Sequence, residues 1–248
     1  MQPIFSLTLR ALARSRRLLV VAALLCVPLL LALVFVASEG SGDSESFVVE
    51  LFVGLVLPVL LPLTALIFAT SALGGEVEDR TLLYLTFRPI SRLAVIVAKL
   101  LACTLVTTVL VEISLLATYL IGTQGSGNTQ NLGAILLSGL VGCLAYSSLF
   151  LLVGLWLPRR GLLVGFIYVL LWEGILSQLS TGLATFSVRR YVEGALDSRL
   201  DTHVLASLNA DGISPVNISG TTSLLVLMLV LVGGMLVATW KLQQLELP

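Results

Sequence analysis

Two carboxyl side chains, Glu112 and Glu173, lie inside long apolar stretches of this 248-residue chain and are its most informative chemical groups. An ionisable group at the centre of a bilayer costs about 3 kcal/mol or more, so each carboxyl should face protein or water. One interpretation is that they line a polar pathway or contact a cationic part of a substrate. The other, which we favour for both, is a hydrogen bond to a neighbouring helix.

The chain lacks the residue sets that membrane-embedded enzymes and nucleotide-binding proteins use. His203 is its only histidine, so the sequence has no His-Glu-x-x-His metal motif and no histidine base within the apolar stretches. Neither Lys99 nor Lys241 belongs to the Gly-x-x-x-x-Gly-Lys-[Ser/Thr] loop that holds phosphates. We therefore predict a non-catalytic protein with no metal site and no cofactor of its own.

The composition places the chain in a membrane. Hydrophobic residues make up 57% of it and charged residues only 11%, and the mean hydropathy is +1.05. Soluble domains carry about 25% charged residues, so a cytosolic enzyme, a disordered chain and a secreted disulfide scaffold are poor interpretations. We expect membrane lipid around the protein and no nucleic-acid partner.

Six apolar stretches are long enough to cross a hydrocarbon core about 30 Å thick, which takes roughly 20 helical residues. These predicted spans are residues 18–37, 47–73, 93–121, 132–157, 162–179 and 221–240. The sequence thus predicts an all-α membrane protein with a single transmembrane domain over residues 1–248.

The distribution of basic residues predicts the orientation. Eleven of the fourteen lysine and arginine residues lie before the first span, between spans two and three or just inside span three, between spans four and five, or after span six. Cytoplasmic loops carry this excess, so both termini are predicted to be cytoplasmic.

Two further helical segments are predicted outside the spans. Residues 4–17 form an amphipathic stretch suited to the headgroup layer, with apolar residues on one face and arginines on another. Between residues 188 and 208 apolar positions recur with helical spacing, among charges too numerous for a span. We expect this external segment to lie on the outer membrane surface or to cap the bundle.

The connection between spans two and three has the features of a short interfacial helix. Glu76, Glu78 and Asp79 cluster where a helix would begin, and anions are favourable there because of the helix dipole. Leucines follow, and Pro89 should end the helix. Such a helix could serve as a docking element for a soluble partner, although a solvated loop with no partner fits the composition equally well.

This connection resembles the hallmark segment of ABC-2-type transporter permeases. The segment includes Glu76, Glu78, Arg80, Thr81, Leu82, Leu85, Pro89, Ser91 and Arg92, followed by Lys99 in the third span. It keeps the family's glutamate at Glu76, the pair Thr81-Leu82, the run from Pro89 to Arg92 and the lysine at Lys99. The sequence departs from the family pattern at Arg80 and Ala98, where glycine is common. The layout of an N-terminal interfacial helix, six spans and an external helical segment between spans five and six is also similar to that family.

The resemblance implies a transmembrane permease subunit of an ATP-driven exporter in a bacterial or archaeal plasma membrane. A second copy or a homologous permease would complete the dimeric pathway. Separate ABC ATPase subunits, which bind the ATP and Mg²⁺, would dock at the residues of the hallmark segment, which would act as the coupling helix.

Two prolines of the second span, Pro58 and Pro62, remove backbone hydrogen bonds and should kink it. The kink could shape a translocation cavity, but kinked spans also occur in static bundles. An alternative function is a secondary carrier or channel in which Glu112 and Glu173 relay ions or protons. That protein would need neither the cytoplasmic docking element nor an ATPase.

Overall fold

The computed structural model describes residues 2–13, 15–38, 44–78, 92–176, 185–210 and 218–244, and its regular elements there are all helical. In chain order they are α1 (Gln2–Ala13), α2 (Arg16–Ala37), α3 (Ser44–Leu51), a first π-helical segment (Phe52–Leu60), α4 (Leu61–Glu78), α5 (Arg92–Gly122), α6 (Thr129–Trp156), α7 (Gly161–Tyr168), a second π-helical segment (Val169–Leu176), α8 (Val188–Asp197), α9 (Thr202–Ala210) and α10 (Gly220–Gln244).

Within the described residues, five helices are long and apolar enough to cross a membrane, and each coincides with a predicted span. They are Arg17–Ala37, Ser44–Ala72, Leu93–Gly122, Thr129–Trp156 and Gly220–Lys241. The predicted fifth span contains the shorter apolar helix Gly161–Gly174, and its last three residues, 177–179, lie outside the described residues. The six-span topology therefore stays a prediction.

The second, third and fourth spans form the centre of the bundle. Between 61% and 72% of their most apolar windows is buried, against 22% for the first span and 17% for the last. Helices α4, α5 and α6 all pack against one another, whereas α2 lies mainly on α5 and α10 mainly on α6. The outward faces of α2 and α10 are apolar, as a lipid environment requires.

Helices α4 and α6 approach closely where Gly154 of α6 meets Thr70 of α4. A Cβ atom at Gly154 would lie 2.8 Å from Thr70 Cα and 2.9 Å from Thr70 O. Small residues allow backbones to come this near in membrane helices. Gly165 of α7 similarly faces Leu66 of α4.

Pro58 lies within the first π-helical segment, and Pro62 is the second residue of α4. A proline inside an α-helix lacks a donor and crowds the preceding turn, and a wider π turn relieves that crowding. Leu61 N accordingly donates to Val56 O, five residues back. The predicted disturbance of the second span thus takes the form of a π-helical segment.

The amphipathic N-terminal segment is helix α1, which packs against α5. Leu12 is buried and Arg10 is exposed, and Phe5 contacts Val95 and Ala98 at the start of α5. Its placement in the headgroup layer remains a prediction.

The external segment consists of two helices, α8 and α9, where the apolar periodicity suggested one. The break falls at residues 198–201, where Asp201 N donates to Asn131 Oδ1 of α6 at 3.0 Å and not to the preceding turn. Val192 and Leu196 of α8 and Val204 of α9 are almost completely buried. Helix α8 packs against α6 and α10, and its placement on the outer membrane surface or as a cap of the bundle stays a prediction.

Candidate functional site

A buried lysine joins the two central helices at the end where the hallmark segment begins. Lys99 of α5 is fully buried, and its Nζ donates a 2.7 Å hydrogen bond to Ala72 O of α4. A buried charge is costly unless it is paired and hydrogen-bonded, so this contact requires α4 and α5 to keep a fixed relative position. Lys99 lies one residue from Ala98, which contacts Phe5 of α1, and three elements therefore meet here.

Most of the predicted docking residues lie outside the described part of the chain. Arg80, Thr81, Leu82, Leu85, Pro89 and Ser91 fall in residues 79–91. Glu76 and Glu78 belong to the last turn of α4, and Arg92 opens α5. The prediction that Glu76 and Glu78 begin a new helix is therefore wrong, because α4 continues through Gly74 and Gly75. The structure therefore places the two ends of the hallmark segment on α4 and α5, the helices that Lys99 joins. The docking role of the nine residues stays a prediction.

Glu112 lies between α5 and α6 and is half-buried. A Cβ at Gly139 of α6 would be 2.9 Å from Glu112 Oε1, so the missing side chain of Gly139 makes room for the carboxyl. Among the described residues, Oε1 is buried and has no hydrogen-bond partner. The interhelical hydrogen bond favoured for Glu112 from the sequence is thus not formed by this oxygen.

Glu173 fastens the external helix to the fifth apolar segment. The carboxyl is fully buried, accepts from Tyr168 Oη at 2.9 Å and Ser187 Oγ at 2.5 Å, and also accepts from Val188 N at 3.2 Å. Ser187 is the N-cap and Val188 the first residue of α8, where a carboxylate is favoured by unpaired N–H groups and the helix dipole. This geometry matches the hydrogen-bonding interpretation.

A second contact ties α8 to the first π-helical segment. Arg189 Nη2 donates to Val53 O at 3.3 Å, while its Nε lies 2.5 Å from Glu193 Oε1. Burial raises the pKa of Glu193, and the Arg189 guanidinium opposes that rise only in part. Together with Glu173, this contact connects α8 to both π-helical segments of the bundle.

We expect Glu173→Leu to weaken the attachment of α8 to the bundle while the helix itself still forms. Hydrogen bonds to a charged group contribute about 1.5–3 kcal/mol each, so the first turn of α8 should open more often by at least about tenfold. Amide hydrogen exchange of residues 188–197 in lipid nanodiscs measures this opening. Glu112→Leu, which also removes an intramembrane carboxyl, should leave that exchange unchanged, and equal protection of α8 in both variants would contradict the fastening role.

Sequence reasoning missed Glu45, at the start of α3, which organises the end of the bundle opposite Lys99. Its carboxylate accepts from Asn131 Nδ2 at 2.6 Å and from the backbone N of Asn128. Asn128 Nδ2 in turn donates to Asp201 Oδ2 at 3.3 Å. The network connects α3, the start of α6 and the external segment. The only sequence signal was an acidic residue in a short external loop.

These polar groups do not assemble into a catalytic or metal-binding set. No group of three or more potential metal ligands occurs among the residues that the structure describes. Lys99, Glu173 and Glu45 each hold helices together at a different level of the bundle, and Glu112 Oε1 stands apart with no such partner in this part of the chain. The arrangement fixes the relative positions of helices and leaves Glu112 Oε1 buried between α5 and α6 without a hydrogen bond in the described part of the chain.

Comparison with known proteins supports the resemblance seen in the hallmark segment. Residues 12–189 match the ABC-2 family transporter protein family, a range that runs from the end of α1 to the start of α8. No curated protein was found to match the chain. Because the family match extends over more than two thirds of the sequence, this chain belongs to the ABC-2 family of transporter membrane proteins.

Proposed function

We propose that this protein is the permease subunit of an ATP-binding cassette exporter. Two copies, or this chain and a homologous permease, form the translocation pathway. Separate ATPase subunits bind ATP and Mg²⁺ on the cytoplasmic side and supply the energy. In this proposal the chain crosses a bacterial or archaeal plasma membrane six times as one transmembrane domain, with both termini inside.

One structural observation carries this proposal beyond family membership. The two helices that flank the hallmark segment, α4 and α5, belong to the buried centre of the bundle, and Lys99 holds them together next to that segment. A force applied to residues 76–92 therefore acts on the core and not on a peripheral helix. This is the mechanical arrangement that coupling to a cytosolic ATPase requires.

In the proposed pathway, Glu112 and the proline-containing π-helical segment around Pro58 and Pro62 face the cargo route. Glu112 Oε1 has no hydrogen-bond partner among the described residues, so it lacks the structural role that Glu173 has. Glu173 is engaged with α8. This engagement weakens the alternative of a carrier with a two-carboxylate relay, because one of its two members already serves a structural role.

Purification of the tagged chain from its native membrane in a mild detergent tests the proposal. We expect a soluble ATPase to co-purify in stoichiometric amount. Leu82→Asp should lower its recovery by at least about tenfold, since a buried apolar contact contributes about 1.5–3 kcal/mol. Thr202→Asp, at the exposed start of α9 on the opposite side, is the matched control and should leave recovery unchanged.

A chain that purifies reproducibly without any ATPase would contradict the permease function and favour the secondary carrier. Recovery of the ATPase with both variants would keep the permease function but place the docking surface elsewhere than the hallmark segment.

A further inference from the structure

The turn between α6 and α7 carries two adjacent arginines, Arg159 and Arg160. We call residues 156–163 the basic turn. Gly154 of α6 lies against Thr70 near the end of α4, and α4 leads into the hallmark segment. The basic turn therefore lies at the end of the bundle where the hallmark segment begins, and the distribution of basic residues predicts that this end is cytoplasmic.

The positive charge of the basic turn is open to its surroundings. Both arginines are exposed, and neither guanidinium has a hydrogen bond or an ion pair with a residue that the structure describes. The helices that meet at the turn, α6, α7 and α10, contain no aspartate or glutamate. These helices therefore leave both charges without a neutralising carboxylate.

Exposed apolar side chains indicate that the basic turn lies at the boundary between hydrocarbon and headgroups. Trp156 is 53% exposed, and Leu162 and Leu163, which closely follow the arginines, are 51% and 60% exposed. Tryptophan is enriched at membrane–water interfaces. The Trp156 ring lies 5.7 Å from Lys241 Nζ, and this cation–π contact engages the lysine. The two arginines are thus the cations of this region that a ligand can reach.

The backbone of the basic turn adds a second feature that suits an anion. Helix α7 begins at Gly161, and its N-cap residue, Arg160, makes no side-chain cap hydrogen bond. The first N–H groups of a helix have no intrahelical partner, and phosphate groups bind at such N-termini. Guanidinium groups also bind phosphate through two parallel hydrogen bonds. The arginine side chains and the helix N-terminus together therefore fit a phosphate group.

The apolar neighbours and the charge decide which phosphate compound fits. A lipid phosphate reaches this boundary with its acyl chains beside Trp156 and Leu163, whereas a soluble phosphate ester gains nothing from these side chains. A choline lipid brings its own quaternary ammonium, which the two arginines repel. A lipid with a net negative charge avoids that repulsion.

We propose that the basic turn binds one acidic phospholipid. The phosphate lies at Arg159, Arg160 and the first turn of α7, and the acyl chains lie along Trp156 and Leu163. This site goes beyond the exporter function and does not depend on it, because all of its groups belong to one chain.

Quenching of tryptophan fluorescence by brominated lipids tests the site in vesicles. In the full chain with Trp172→Phe and Trp240→Phe, Trp156 is the only tryptophan left, and a brominated acyl chain bound beside it quenches its emission. Vesicles of phosphatidylglycerol and phosphatidylcholine in varied ratio, with one lipid brominated at a time, give the relative binding constant. We expect phosphatidylglycerol to bind beside Trp156 at least about tenfold more strongly, because each basic residue near acidic lipid contributes about fivefold. Arg159→Gln combined with Arg160→Gln should reduce the preference to about one.

Two controls separate a bound lipid from general attraction to positive charge. Arg10→Gln combined with Arg17→Gln removes the same number of exposed arginines from α1 and α2, and the preference at Trp156 should then change by less than about twofold. A chain with Trp172 as its only tryptophan reports on a position eleven residues beyond Gly161, about 17 Å along the helix. Its preference should be about one.

Equal quenching by the two lipids beside Trp156 would overturn the site, and so would a preference that survives the loss of Arg159 and Arg160. An equal loss of preference in the variant without Arg10 and Arg17 would show general surface attraction in place of a bound lipid and would also overturn it. None of these measurements requires an ATPase. A failure here therefore leaves the exporter function standing, and the absence of an ATPase partner would leave the lipid site standing.

Discussion

Replacing Lys99 with methionine is expected to uncouple ATP hydrolysis from transport while the helix bundle stays folded. Methionine keeps most of the length of the side chain but loses the hydrogen bond from Nζ to Ala72 O. A hydrogen bond to a charged group contributes about 1.5–3 kcal/mol, so the fixed arrangement of α4 and α5 should become at least about tenfold less populated. Removing a buried charge also removes its desolvation cost, which limits the loss of overall stability.

The measurement compares transport and ATP hydrolysis by the purified complex in the same proteoliposomes, normalised to folded chain. Lys99→Met should lower the number of cargo molecules moved per ATP by about tenfold or more, with the ATPase still bound. Lys241→Met is the matched control: the chain has only these two lysines, and Lys241 lies over the Trp156 ring, 5.7 Å from its centroid. Wild-type coupling in Lys99→Met would show that the α4–α5 contact has no part in transmission.

The largest stability effect is expected from Gly154→Ala. The added Cβ would meet Thr70 Cα at 2.8 Å and Thr70 O at 2.9 Å, and these are backbone atoms that cannot move unless α4 moves. Overpacking of this kind costs about 1–3 kcal/mol. It also separates the two helices whose contact forms the centre of the bundle. We expect a lower unfolding temperature in mild detergent and reduced yield of the folded chain.

Gly133→Ala provides the control within the same helix. A Cβ at Gly133 would have no atom within 4 Å, and alanine is the better helix former by about 1 kcal/mol. This variant should be as stable as the unmodified chain or slightly more so. If both alanine variants unfold at the same temperature, α4 and α6 do not approach as closely as the structure places them.

The long helices were predictable because a span is a local property of the sequence. A segment in lipid must satisfy its own backbone hydrogen bonds and present about 20 apolar residues. Both conditions can be judged from the sequence of that segment alone, without knowing which helices pack against it. Residues 18–37 and 132–157, for example, match the helices Arg17–Ala37 and Thr129–Trp156. Family membership was predictable for a similar reason, since the hallmark from Glu76 to Arg92 is a continuous motif, and it is confirmed by the family match.

The contacts of the two intramembrane carboxyls could not be predicted from the sequence around each residue. Glu112 and Glu173 have the same residue type and similar apolar surroundings in the sequence, so both received the same two interpretations. In the folded chain the Glu173 carboxyl accepts hydrogen bonds from Ser187 and Val188 at the start of α8. Glu112 Oε1 instead lies in the space that the missing side chain of Gly139 leaves. The difference depends on which helices come together, and no pattern within one helix encodes that.

Apolar stretches and charge therefore determined which residues form helices and the lipid environment that surrounds them, and the resemblance of the hallmark motif from Glu76 to Arg92 indicated the transporter family. Tertiary structure alone decided that Lys99 joins α4 to α5 and that Glu45 joins α3 to the start of α6 at the opposite end of the bundle. The physical reason is that helix formation in lipid depends on neighbouring residues in sequence, whereas polar contacts between spans depend on residues from different helices. These contacts depend on how closely the helix backbones approach each other, and Gly154 is one position where that approach is close.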